Sequence, residues 1–140
     1  MERSGQLDKI DPKMAARVWD RVQAPPKNGL ETNALLPMIR EEWLDALVLK
    51  HLGQSTERVQ ENAACLKGIY RILTGGLPQM STPQWKQEKP AVLLRQSFTR
   101  RMQLFFQYEK LQHDPRFGPV FGRLAAASQV QACKVLEILG

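Results

Sequence analysis

Four segments of helical hydrophobic periodicity are separated by two short breaks and one long one. That spacing constrains the fold more than any other feature of the chain. Strand signals are missing: no sustained alternation of period two occurs, and no Asn-Gly hairpin lies between β-branched runs. The first long helix is expected from about Leu35 to Leu52, with Pro37 in or near its opening turn. The second runs from about Thr56 to Thr74, capped by Ser55 or Thr56 and terminated by Gly75-Gly76. The third runs from about Ala91 to Gln112 after Pro90, and the fourth from about Pro119 to Leu139 after Gly118. First to second and third to fourth are joined by a few residues only, so each pair is expected to form an antiparallel hairpin. The segment from Gly75 to Lys89 is instead rich in Gly, Pro and polar side chains. Its ~15 residues reach about 50 Å when extended, against about 30 Å for a 20-residue helix. It can therefore run the length of a bundle and start the third helix at the end where the second began. The competing topology is an up-and-down bundle with a loose third loop.

Ahead of these helices, residues 1–30 are expected to form an arm with one short helix, and residues 31–140 the bundle. The short helix would run from Asp11 or Pro12 to about Gln23, ended by Ala24-Pro25-Pro26-Lys27-Asn28-Gly29. Its apolar residues Met14, Ala15, Val18, Trp19 and Val22 make one stripe.

Composition narrows the class. The chain has 140 residues, a single-domain length, with 43% hydrophobic and 24% charged residues, which argues against disorder or a fibre. Its charge of +6 comes from basic residues spread from Lys9 to Lys134, a pattern that fits a solvated face better than a nucleic-acid footprint. Arg95, Arg100, Arg101, Lys110, Arg116 and Arg123 could form a basic face, but no exposed aromatic residues interleave them, so nucleic acid is not an expected partner. No apolar run approaches the ~18 residues of a membrane span. No hydrophobic leader followed by a cleavage site opens the chain, so a cytoplasmic protein is expected. Cys65 and Cys133 lack metal-site spacing, fall in apolar helical patterns, and read as reduced, buried thiols.

Each apolar stripe is interrupted by a polar residue. The first helix reads Leu35, Met38 or Ile39, Glu42, Ala46, Leu49; the third reads Leu94, Phe98, Met102, Phe105, Glu109, Gln112. The second reads Val59, Asn62, Leu66, Ile69, Leu73, and the fourth Phe121, Leu124, Ser128, Gln131, Val135, Ile138. Each hairpin thus repeats one plan, a glutamate on its first arm and an amide on its second. An unpaired buried carboxylate costs several kcal/mol or shifts its pKa until neutral.

The segments Ile39-Arg40-Glu41-Glu42-Trp43-Leu44-Asp45-Ala46, Ala63 to Gly75, Phe106-Gln107-Tyr108-Glu109 and Leu124 to Leu139 resemble the rubrerythrin-type ferritin-like diiron proteins. The resemblance covers about residues 33–140. It implies a ferritin-like four-helix bundle in which the first and third helices each supply a Glu, and the second and fourth each supply Glu-x-x-His. Carboxylates with one imidazole per metal suit iron or manganese and peroxide or oxygen chemistry. Glu42 and Glu109 match the single carboxylates and are the candidate metal ligands. Val59 and Asn62, however, stand where the second helix should carry Glu and His, as do Ser128 and Gln131 on the fourth. No Glu-x-x-His occurs anywhere in the chain, so four of the six ligands of that family are replaced.

Three functions stay open at this point. The favoured one is a bundle that has lost its diiron site, with no catalytic residues and no cofactor, acting as a binding, scaffold or oligomeric protein. A homodimer or an unidentified protein partner would fit it. The second is an iron or manganese redox protein on a reduced site of Glu42 and Glu109, completed by Asp45, His113 or water. The third is a basic binder of an anionic partner. His51 and His113 read as surface residues, and Cys65 as a packed thiol. If no ion is bound, Asn62, Gln131 and Ser128 are expected to donate hydrogen bonds to Glu42 and Glu109. Changing both glutamates to Gln would then leave stability unchanged or raised.

Overall fold

The computed structural model describes residues 30–140, and those residues contain four helices and no strand. The helices are α1 (Thr32–His51), α2 (Glu57–Thr74), α3 (Pro90–Leu111) and α4 (Gly118–Leu139). The expected boundaries hold within a residue or so, except that α1 begins three residues early. Pro37 therefore lies in its second turn rather than its first. The short helix expected near residues 11–23 lies outside the described residues.

The helix ends follow from local sequence. Gly75 takes φ +81°, the left-handed conformation that closes α2, and its N–H donates to the carbonyl of Arg71. Pro90 opens α3 at a position where a missing N–H costs nothing. The α3–α4 turn needs Gly118, because a Cβ there would collide with the backbone carbonyl of Gln112. Between α2 and α3 the chain from Gly76 to Lys89 has no regular structure. Trp85 in this connection meets His51 edge to face at 5.0 Å, which ties the crossover to the C-terminal end of α1.

Helix α1 packs on α2 and α3, and α4 packs on α3 and α2. Cross-helix pairs give the directions. Asp45 reaches Ser97 and Glu42 reaches Tyr108, while Arg101 reaches Ser128 and Tyr108 stacks towards Phe121. Thus α1 is antiparallel to α3, and α3 to α4. With the short α1–α2 turn, α2 runs parallel to α3, and the crossover spans the bundle.

The interior is two apolar regions with a polar layer between them. Leu35, Met38, Ile39, Leu66, Ile69, Leu104, Tyr108, Phe121 and Leu124 form the larger region, and Ala46, Leu49 and Val59 the smaller. Glu42 lies between Ile39 and Ala46 along α1, and Asn62 between Val59 and Leu66 along α2. The buried face of α3 is Leu93, Leu94, Ser97, Arg101, Leu104 and Tyr108, one residue round the helix from the expected row. Phe98, Met102 and Phe105 are only half-buried, while Glu109 and Gln112 are exposed. The more apolar row lost because it lacks the cation that the carboxylates of α1 need.

Candidate functional site

The polar layer is an arginine–carboxylate cluster. Arg101, on α3, is completely buried, and so are Glu42 and Asp45, set three residues apart on one face of α1. Nη2 of Arg101 donates to Oε1 of Glu42 at 2.8 Å. Its Nε lies 2.9 Å from Oδ2 of Asp45, where the charges meet without an aligned hydrogen bond. Nη1 reaches Oγ of Ser128 on α4 at 3.4 Å. One guanidinium therefore bridges α3 to both α1 and α4.

Every carboxylate oxygen in the layer faces a donor or a positive charge. Oε2 of Glu42 accepts from the hydroxyl of Tyr108 at 2.5 Å and from the amide of Asn62 at 3.2 Å. Oδ1 of Asp45 accepts from Ser97 and from Nη1 of Arg100, both at 2.7 Å. Arg100 enters from the rim, where its Nε also lies 3.4 Å from Glu41. Two guanidinium groups thus face the two buried carboxylates, with a third, Glu41, beside Arg100 at the rim.

Electrostatics follow from this arrangement. Burial pushes the pKa of Glu42 above the usual glutamate value, although Arg101 and the Tyr108 hydroxyl pull the other way. Burial opposes the charge on Arg101, but Glu42 and Asp45 more than offset it and hold the guanidinium pKa above its ordinary value. Tyr108 is pushed well above the usual phenol value, first by burial and then by the negative charge of Glu42. Its proton is therefore fixed on the bond to that carboxylate.

The residues singled out in the sequence divide into two groups. Glu42, Val59, Asn62, Ser128 and Gln131 are all buried, and Asn62 donates to Glu42 as expected. Ser128 serves Arg101 instead of a glutamate, and Gln131 bonds to neither. Glu109 is exposed, so the structure does not bring it together with Glu42; the buried position beside it belongs to Tyr108. Arg100 and Arg101, two of the six residues that could have formed a basic face, point inward, and Arg116 pairs with Asp114. Cys65 is half-buried, with its thiol pKa raised by burial, whereas Cys133 is exposed rather than buried. His51 and His113 are exposed.

A pair of divalent ions does not fit this layer. Among the described residues no group of three or more His, Cys, Asp or Glu side chains could hold a metal. The carboxylates present are occupied by guanidinium, and a divalent cation beside Arg101 would meet like charge. Sequence reasoning missed Arg101, Tyr108 and Ser97. Ser97, Arg101, Leu104 and Tyr108 do recur at helical spacing, but within α3 alone that row is more polar than the one through Phe98 and Met102, so only the carboxylates of α1 select it. No family model, no curated protein and no solved structure matches the chain, so a functional reading rests on these residues themselves.

A second polar anchor lies at the end of the bundle near the α3–α4 turn. Oδ2 of Asp114 accepts from the backbone N–H of Leu30 at 2.8 Å, and its Oδ1 from the N–H groups of Arg116 and Phe117 at 2.7 and 2.9 Å. Arg116 donates to the carbonyl of Leu30 at 2.8 Å. Burial raises the Asp114 pKa, but the three N–H bonds and the Arg116 charge outweigh it, and the group ends below the usual aspartate value. No described helix is long and apolar enough to cross a membrane.

Proposed function

We propose that the chain is a ferritin-like bundle whose central layer carries its own cation, the Arg101 guanidinium, where relatives of the resembled family would bind metal. On this reading it works through its surface, as a non-catalytic binding, scaffold or oligomeric protein. The observation that carries it is Arg101, fully buried between Glu42 at 2.8 Å and Asp45 at 2.9 Å. A guanidinium supplies fixed charge and directed hydrogen bonds but no open coordination position, so the layer cements four helices and leaves substrate nothing to meet. The antiparallel neighbours and the bundle-length crossover favour the ferritin-like topology over an up-and-down bundle.

The test is elemental analysis of protein purified without a metal-affinity tag, together with a hydrogen peroxide turnover assay. Traces of iron and manganese and no turnover are expected. Near-stoichiometric metal, or peroxide consumed by the pure chain, would overturn the reading.

A further inference from the structure

Outside the central layer, a cavity of about 230 Å³ lies between the α1–α2 turn, the first turns of α2 and the C-terminal half of α4. Gln131 on α4 lines it, is only 6% exposed, and its carboxamide makes no hydrogen bond to any described residue. Its polar atoms are not sealed inside protein, so they open on the cavity. In the free protein that carboxamide can meet only water, which a ligand with matching donors and acceptors replaces. The charges at its rim are exposed or half-buried and are not paired with one another. Arg58 and Lys134 line the cavity with Glu57 and Glu61, two of each sign, and no ion pair joins any of them. The N-terminus of α2 borders the same space, and no side chain caps it, which adds partial positive charge. Ile138 supplies an apolar wall.

A lining with separated charges of both signs and no net charge selects neither a simple anion nor a simple cation. It complements a molecule that carries both. We propose that this cavity binds a small zwitterion of the α-amino acid class with a short aliphatic side chain. Its carboxylate would face the α2 N-terminus and the basic pair, its ammonium the glutamates, and Gln131 would bond to either headgroup. The volume accommodates about seven waters at ~30 Å³ each, or a solute of about eight non-hydrogen atoms. The inference extends the surface-binding reading by naming a ligand class. Metal content tests the central layer and ligand titration tests this cavity, so each can fail alone.

The experiment is an NMR titration of the full chain with L-valine, run in parallel with N-acetyl-L-valine and L-valinamide, each of which lacks one of the two charges. Saturable shifts are expected at the Gln131 side-chain amide and at Arg58 and Lys134. Each blocked analogue should bind about tenfold more weakly or worse. Gln131→Leu should abolish the response, and Lys134→Met, a change at an exposed position that leaves the core intact, should weaken it. The proposal is overturned if valine gives no saturable shift at Gln131, if the blocked analogues bind equally well, or if the response survives in both variants.

Discussion

At the scale of the residue, Tyr108 shows how the layer holds together. Its hydroxyl gives Glu42 a short, charge-assisted hydrogen bond inside a region where water cannot substitute for it. Tyr108→Phe should cost about 1.5–3 kcal/mol, the value of a hydrogen bond to a buried charge, read as a lower denaturant midpoint with an unchanged slope. Glu109→Gln, one position along α3, should stay within about 0.5 kcal/mol because the side chain is exposed. A reversed order would mean that the face of α3 is misassigned. The sequence alone leads one to expect that both glutamates can be changed to Gln without loss; with Arg101 beside Glu42, the change at that position is instead expected to lower stability, since Gln there would leave Arg101 with Asp45 alone.

At the scale of the element, α1, α2 and α4 were legible in the sequence because their buried rows are mainly apolar, interrupted by one polar residue in α2 (Asn62) and two each in α1 (Glu42, Asp45) and α4 (Ser128, Gln131). Helix α3 was not, for a physical reason. Arginine is almost never fully buried unless paired, so a row containing Ser97 and Arg101 looks like solvent beside one containing Phe98 and Met102. The pairing that reverses this preference is tertiary, a property of α1 facing α3, and no pattern within α3 encodes it. The same holds for the Asp114 anchor: its role in holding Leu30, 84 residues away, arises from the fold. Because the Asp114 pKa is lowered on folding, the stability it contributes is present above the unfolded aspartate value. It is lost as pH falls through the lower folded one. Stability should therefore drop below about pH 4, and Asp114→Asn should flatten that part of the pH profile. An unchanged acid limb in the variant would show that Asp114 does not anchor the segment.

At the scale of the whole molecule, the two apolar regions are joined through a charged layer, so packing alone does not define the bundle. Buried ion pairs give little net stability against an apolar replacement of the same shape, yet removing one partner is costly. The layer is thus better understood as fixing which helix faces meet, and in what register, than as the source of most of the stability. The all-helical bundle could be read from periodicity and connection lengths, but its centre could not, because Val59, Asn62, Ser128 and Gln131 do not point to a guanidinium on α3. The central claim, that Arg101 is the internal cation, is tested most directly by a double-mutant cycle in chemical denaturation with Arg101→Met, Glu42→Gln and the pair. Arg101→Met alone should cost about 3–5 kcal/mol, and the pair should cost less than the sum of the single changes by about 2 kcal/mol or more. Additivity within about 0.5 kcal/mol would contradict the account.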